Sequence, residues 1–272
     1  MLKVEFLLIE IDQKEKMSDF CKVYCAGSVK APYDWITSVP MGINRLVYIN
    51  GGEGGYIKDN VQIPFKKDCL YLFPGNAYFV KTYSSYETDE ARLDHGFVNF
   101  ELIPPILSNE VMCFDPSEDD EIRPAVEIFK MLCMKCTEKK EIENLSSTDR
   151  KFLKSTVIFL VDRIIEKYNC EVIKDKTIIK AMKLMQENLE NKYSIEDIAK
   201  SLYLSTDGFI RKFKREVGET PYSYLKKLKI RTAQNMRLSG MKLSEIAEKC
   251  GYSDSCSLLH AIGSDDFEQE NQ

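Results

Sequence analysis

The run SIEDIAKSLYLSTDGFIRKFKREVGETPYSYL, residues 194–225, limits what this chain can fold into more than any other stretch. Ser194 followed three residues on by Asp197 has the spacing of a capping box, which satisfies free amides at a helix start. Ile195, Ile198, Ala199 and Leu202 recur at helical spacing, so the helix buries one stripe. After Tyr203 and Leu204 a second helix starts at Ser205 or Thr206. Its apolar set is Phe209, Ile210, Phe213 and Val217, and Gly218 stands where a left-handed C-cap is wanted. Arg211, Lys212, Lys214 and Arg215 occupy the other side. Two short amphipathic helices joined by a tight turn, the second one basic, are the sequence form of a helix-turn-helix whose second helix enters a major groove. The alternative is a small helical domain whose Lys and Arg only keep its surface solvated.

A second segment, LSEIAEKCGYSDSCSLL at 243–259, repeats the first at a lag of about 50 residues. The wording IAxxLxLS, then FxRxFKRExGxTPxxYL, together with this second copy, resembles the AraC/XylS family of transcription regulators; Arg231 and Ala233 match its following segment loosely. The resemblance is specific over 176–259. It implies two helix-turn-helix units joined by a long helix, set side by side on double-stranded DNA. Ile178, Ile179, Met182, Met185 and Leu189 mark a leading helix, and Pro221 opens the linking helix with Tyr224, Leu225, Leu228, Ala233 and Met236 inward. Thr206, Asp207, Ile210 and Arg211, near the start of the first recognition helix, are the expected base readers, with Ser255 and Cys256 in the second. Lys212, Lys214, Arg215, Lys226 and Lys227 are the expected phosphate contacts, with Lys229 and Arg231 on the same basic face; a merely solvated face is the alternative.

Charge is distributed to match. The net charge is -5, yet residues 1–175 carry 22 Lys and Arg against 29 Asp and Glu, while 176–262 carry 16 against 10. The basic excess coincides with the helix-turn-helix region, as attraction to phosphate requires. The last ten residues, GSDDFEQENQ, hold four carboxylates and no cation. They stand where the family continues with a basic run and a closing helix, so a disordered, phosphate-repelling tail and a weak second unit are expected.

Residues 1–115 alternate in short runs: VEFLLIEI, RLVYI, GYIKD, VQIPF, CLYLF, AYFVKTY and ARLDHGFVNFEL read as strands, divided by Asn50-Gly51-Gly52, Asp59-Asn60 and Pro74-Gly75-Asn76. This spacing predicts an all-β sandwich or barrel. The order of runs resembles the cupin-type jelly roll that serves as effector domain in many AraC-type regulators. A catalytic cupin holds its metal with several histidines, whereas this domain has one, His95, and Tyr78 where another ligand could fall. No metal or other cofactor is expected, and a metal-dependent cupin isomerase or dioxygenase is the remote alternative. A barrel mouth suits a small molecule. Arg45, Trp35, Tyr48, Glu53, Tyr78 and His95 are the candidate effector contacts, with Asn99 beside them. Arg45 comes first, because a guanidinium can hold a carboxylate or vicinal hydroxyls.

From Pro116 helical spacing takes over: Val126, Phe129, Leu132 and Cys133, then Phe152, Val157, Leu160, Val161, Ile164 and Ile165. These helices either cover the sheet or pair with another subunit; in the family this region commonly makes the dimer contact. Nine scattered cysteines argue for a reducing cytoplasm, the Cys133/Cys136 pair lacks further metal ligands, and no apolar run would span a bilayer. The fold class expected is α+β: a cupin-like effector domain at 1–115, a helical linker and dimerisation region at 116–175, an all-α tandem helix-turn-helix at 176–262 and an acidic tail at 263–272. The function expected is a cytoplasmic, homodimeric DNA-binding regulator, not an enzyme, answering to a small-molecule effector, with carbohydrates among the candidate classes. A variant of this reading keeps sensing and dimerisation but loses tight operator binding through a defective second unit.

Overall fold

The structure is a computed structural model in which residues 21–31, 36–38, 43–75, 81–84, 88, 91–108, 110–136, 142, 145–170, 173–190, 193–238 and 241–262 are described. The VEFLLIEI run, residues 77–80, Trp35, Tyr78 and the acidic tail lie outside them. The chain forms two compact units, 1–172 and 173–272.

The first unit is built on two antiparallel sheets. β1 (Cys21–Lys30), β8 (Asp94–Leu102), β3 (Asn44–Gly51), β6 (Leu70–Phe73) and β9 (Met112–Phe114) form one, in that spatial order; β2 (Ile36–Ser38), β7 (Lys81–Ser84), β4 (Gly54–Lys58) and β5 (Val61–Pro64) form the other. The Asp59-Asn60 turn joins β4 to β5 with both residues at positive φ, 51° and 63°. That is the geometry whose twist matches a two-residue hairpin, and Asp and Asn tolerate it. Alternation then sorts the side chains of β3. Val47 and Ile49 face inward with Tyr71, Phe73 and Phe97, and Tyr56 and Phe65 close over them. Tyr56 meets Phe73 edge-on at 5.8 Å, which seats the smaller sheet on the larger.

Leu46, Tyr48, Val98 and Phe100 face the other way, into a core shared with two helices. α1 (Ile122–Lys135) brings Ile122, Val126, Phe129, Leu132 and Cys133; α2 (Ser147–Lys167) brings Leu153, Val157, Leu160, Val161 and Ile164. The helices after residue 115 therefore cover the sheet of their own chain. Phe152 departs from its expected burial and is 55% exposed. It lies one residue outside the stripe that begins at Leu153, about 100° round the helix.

Three strands escape the alternation reading. β1 (CKVYCAGSVK) is rich in small residues and shifts register between Val23 and Cys25, so its apolar positions do not alternate cleanly. β2 and β9 have three residues each, too short for a period-two signal.

The second unit is all helix: α3 (Lys176–Glu187), α4 (Ile195–Ser201), α5 (Thr206–Val217), α6 (Pro221–Leu238), α7 (Leu243–Lys249) and α8 (Ser255–Ile262). Its first core holds Ile178, Met182, Met185, Ile195, Ile198, Phe209 and Phe213, all buried. Phe213 packs edge-on between Phe209 at 5.6 Å and Tyr224 at 5.5 Å. Fully burying one such ring contributes about 1.5–3 kcal/mol. A second core joins Ala233 of α6 to Ile246, Ala247, Cys250, Leu258 and Ile262. α6 thus serves both, Tyr224 and Leu228 on the first and Ala233 on the second. Among the described residues no helix is long and apolar enough to cross a membrane, and no group of three His, Cys, Asp or Glu could hold a metal.

Candidate nucleic-acid interface

The first recognition helix is fixed from both ends. Ser194 Oγ accepts the Asp197 N–H at 3.1 Å while the Asp197 carboxylate accepts the Ser194 N–H at 3.0 Å, completing the capping box of α4. Ser205 Oγ accepts the Gly208 N–H at 3.2 Å and starts α5; Gly218, at φ +85°, stops it. With Phe209 and Phe213 inward, Asp207, Arg211, Lys214 and Arg215 recur at i, i+4, i+7 and i+8 and share the outward face. All four are exposed. Asp207, Ile210 and Arg211 line one shallow surface recess. Thr206, half-buried, sits at the first helical position beside them. The four expected base readers therefore cluster at the N-terminal half of α5, where a helix inserted end-first meets base edges.

The basic residues divide into two kinds. Lys226 is exposed on α6, and Lys214 on α5. Lys227 is exposed but meets Glu219 at 2.9 Å, and Arg215 meets Glu216 at 2.8 Å. Ion pairs this accessible are worth about 0–1 kcal/mol and exchange readily for phosphate. Lys212 is different. Half-buried, it pairs with Asp175 at 2.9 Å, and Asp175 also caps α3 by accepting the N–H groups of Thr177 and Ile178. Burial alone would raise the Asp175 pKa, but Lys212 and the two amides outweigh it and hold the carboxyl below its ordinary value. The pair ties α5 to α3. Asp175 was not singled out in the sequence; the signal was an Asp one residue before the Lys176 helix.

The second unit repeats the plan with other chemistry. Its turn carries Gly251 at φ +70°, and a Cβ there would lie 2.6 Å from the carbonyl oxygen of Leu189 at the end of α3. The backbone approaches too closely for any side chain. Lys249 reaches Glu190 at 3.4 Å, and the Lys229 ammonium lies 5.5 Å from the centre of the Tyr252 ring. Burial lowers the Lys229 pKa, against a smaller opposing influence of Cys250. Lys229 thus leaves the basic face of α6 and joins the turn between α7 and α8. Asp254 caps α8, accepting the Ser257 N–H at 2.7 Å, and Cys256 and His260 are exposed while Ser255 is half-buried. α8 bears no Lys or Arg.

In the first unit, Arg45, His95 and Asn99 stand on the inward face of the five-stranded sheet. Arg45 Nε donates to Asn99 Oδ1 at 2.7 Å, and its guanidinium lies 5.7 Å from the Phe97 ring centre. His95, buried, stacks near Phe97 with ring centroids 6.1 Å apart. Tyr48 is not with them: it points to the opposite face, donates to Asp68 at 3.0 Å and lies under Lys130. Glu53 is exposed and bridges by its backbone to Arg92, away from the inward face. All nine cysteines are free, and burial raises the pKa of the Cys133 thiol and likewise of its neighbour Cys136.

Residues 198–263 match a family model described as a helix-turn-helix domain. Over 121 residues the chain is 22% identical to LumQ of Photobacterium leiognathi, a probable transcriptional regulator; the match covers 44% of this chain and 46% of LumQ, about half of that relative's length. Among solved structures, ToxT from Vibrio cholerae superposes with a TM-score of 0.54 at 11% identity, over 89% of this chain and 93% of ToxT. Wild-type ToxT with an unsaturated fatty acid bound gives 0.54 at 13% identity, over 90% and 91%. Identities this low speak for the fold alone, an α+β chain with a β-rich N-terminal part and a helical C-terminal part. Residues 198–263 thus carry a helix-turn-helix domain, and the chain is similar to a probable transcriptional regulator over less than half its length.

Proposed function

We propose that this protein is a one-component transcription regulator in which residues 173–262 bind double-stranded DNA and the N-terminal unit binds a small-molecule effector. The observation that carries the DNA part is the outward cluster of Asp207, Ile210 and Arg211 at the start of a capped, basic α5. Thr206 to Arg211 read base edges; Arg211 donates two bonds to a guanine, and Asp207 accepts from a cytosine. Lys214, Arg215, Lys226 and Lys227 hold phosphates, whereas Lys212 serves the α5–α3 contact first. Ser255 and Cys256 are the base-facing residues of the second unit. Fluorescence anisotropy of the full chain with duplex DNA tests this: binding at low salt should weaken steeply as salt rises, and no binding at low salt would end the assignment.

The effector reading places the ligand over the inward face that carries Arg45, with His95 and Asn99 beside it. Tyr48 and Glu53 are left out of that set by their positions. Binding shifts the population between arrangements of the DNA-binding units in a homodimer, which requires different ligand affinity in the two states. Sedimentation of the full chain tests the dimer, and the nine free thiols suit a reducing cytoplasm.

A second reading is favoured by one observation, the absence of any Lys or Arg on α8. The second helix-turn-helix then adds less affinity than the first. Scanning substitutions across the operator would show one strongly constrained half-site and one weak one; equal constraint in both would remove this reading.

A further inference from the structure

We infer that Ile210 takes the C5-methyl group of a thymine in the major groove, one or two base pairs from the guanine held by Arg211. This rests on the DNA-binding reading above and adds a third base to those assigned to Asp207 and Arg211. In α5 the buried residues are Phe209 and Phe213. At about 3.6 residues per turn Arg211 stands opposite that pair, with Asp207 about 40° to one side of it and Ile210 about 100° to the same side. Ile210 therefore occupies the shoulder between the core and the outward face. It is half-buried, and the part that stays open lines the shallow recess shared with Asp207 and Arg211.

The neighbours of that shoulder are charged. Asp207, Arg211 and Lys214 are all exposed, and an aliphatic group facing water among them gains nothing there. Isoleucine has no side-chain donor or acceptor, so it cannot read the polar atoms of the base edges by hydrogen bonding. The major groove offers one apolar group, the methyl at C5 of thymine. When α5 enters the groove, a methyl under Ile210 removes apolar surface of both partners from water. A polar edge in the same place loses its water and finds no partner. Both effects favour thymine, and 5-methylcytosine presents the same group at the same position of the ring.

Spacing along the helix limits where that thymine lies. From Asp207 to Arg211 the helix rises about 6 Å, less than two base-pair steps of about 3.4 Å, and Ile210 lies between them. Thr206 is the competing residue in the first turn, because its side chain also carries a methyl. It is half-buried and stands a further 40° or so toward the core, and its hydroxyl accommodates polar base edges as well. Ile210 is the side chain of the recess that has only an apolar contact to offer.

The test uses the full chain and a pool of duplexes of random sequence, from which bound duplexes are selected at low salt. The enriched site should carry a fixed thymine within two base pairs of a fixed guanine. Changing that dT to dU removes the methyl and leaves every hydrogen-bonding atom in place. It should weaken binding about three- to tenfold, the worth of one or two buried methyl groups. A G·C pair with cytosine in place of the thymine should bind more weakly still, and 5-methylcytosine should recover part of that loss. In Ile210→Ala the dT and dU duplexes should bind alike, whereas Arg211→Ala should keep the dU effect and relax the guanine. If circular dichroism shows that Ile210→Ala does not fold, Ile210→Gln takes its place and should lose the dU effect in the same way. A dU effect undiminished in the folded Ile210 variants, or one abolished by Thr206→Ser, overturns the assignment. A selected site in which no dT-to-dU change weakens binding overturns it too, and leaves the DNA-binding reading standing. If no duplex is enriched and none binds at low salt, both fall.

Discussion

Two residues at equivalent turns show how backbone conformation ranks side chains. The turn after α7 has Gly251 at φ +70°, under a carbonyl that leaves no room for a Cβ. The turn after α4 has Tyr203 at φ +57°, 97% exposed. A bulky L-residue in the left-handed region costs about 1–2 kcal/mol, and an exposed ring recovers nothing by packing. Tyr203→Gly relieves that strain but gives the unfolded chain more freedom to lose, a cost of about 0.4–1 kcal/mol. The net expectation is stabilisation of up to about 1 kcal/mol in urea unfolding, with Gly251→Ala destabilising by more than that. A Tyr203→Gly variant less stable than the parent would show that the ring has a partner the turn geometry hides. At the same scale, Arg211 and Lys227 should separate by kind. Arg211→Ala should cost about 1–3 kcal/mol at one base pair and relax preference there, whereas Lys227→Ala should weaken all sequences alike. Binding measured on a panel of single base-pair changes decides it; equal, sequence-independent losses would reduce Arg211 to a backbone contact.

Elements were legible in the sequence where one periodicity ran long enough and its caps were explicit. α3 to α7 follow from apolar spacing, with Ser194, Ser205 and Gly218 marking ends that the structure keeps. β3 to β6 and β8 follow from alternation between turn residues. β1 did not, because a bulge and small residues erase its period, and the covering role of α1 and α2 did not, because an amphipathic stripe fits a sheet or a second subunit equally well. Arg45 was legible as a candidate, yet its separation from Tyr48 needed the strand register. Lys229 was read as one more basic residue of α6; only the placement of α7 shows it against Tyr252. Two contacts just beyond α3, Gly251 against the Leu189 carbonyl and Lys249 with Glu190, tie the second helix-turn-helix to the first, and Lys229 of α6 meets Tyr252 in the same turn. Lys229→Met should therefore change operator binding differently from Lys226→Ala. The phosphate variant should lower affinity at every half-site spacing; the Lys229 variant should flatten the preference between spacings while keeping the salt dependence. Hydrogen exchange should follow the same division. α8, with eight residues and only Leu258 and Ile262 fully in its core, should exchange faster than α5. Equal protection of the two helices would mean that the second core is as firm as the first.

At the scale of the whole molecule the carboxylates decide how the protein meets acid. Hydrogen bonds hold several aspartates below their ordinary pKa: Asp119 through Arg163, Asp149 through Lys135 and Ser146, Asp197 through Ser194, and Asp254 through the Ser257 backbone N–H and the Ser253 hydroxyl. Asp175 joins them through Lys212 and two backbone amides, against the opposing influence of burial. The sign follows from linkage. A group whose folded pKa is depressed binds its proton more readily in the unfolded chain, so its contribution is present above the unfolded value of about 3.9 and disappears as pH falls through the folded value. Stability should therefore be level with respect to these groups near neutrality and fall steeply below about pH 4. The residues involved sit at helix starts and at the α5–α3 contact, so both units should loosen together in acid. Asp175 has the most to lose, because its protonation releases the half-buried Lys212 as well as the cap of α3. Asp175→Asn should lower stability at neutral pH and make the second unit's acid limb shallower, since the mutant has one fewer proton to take up on unfolding. Melting curves from pH 7 to about pH 3, followed by circular dichroism of the parent and the variant, measure both slopes. If the two proteins lose stability in parallel through that window, the Lys212–Asp175 pair is not part of the acid response, and Lys212 is free for phosphate after all.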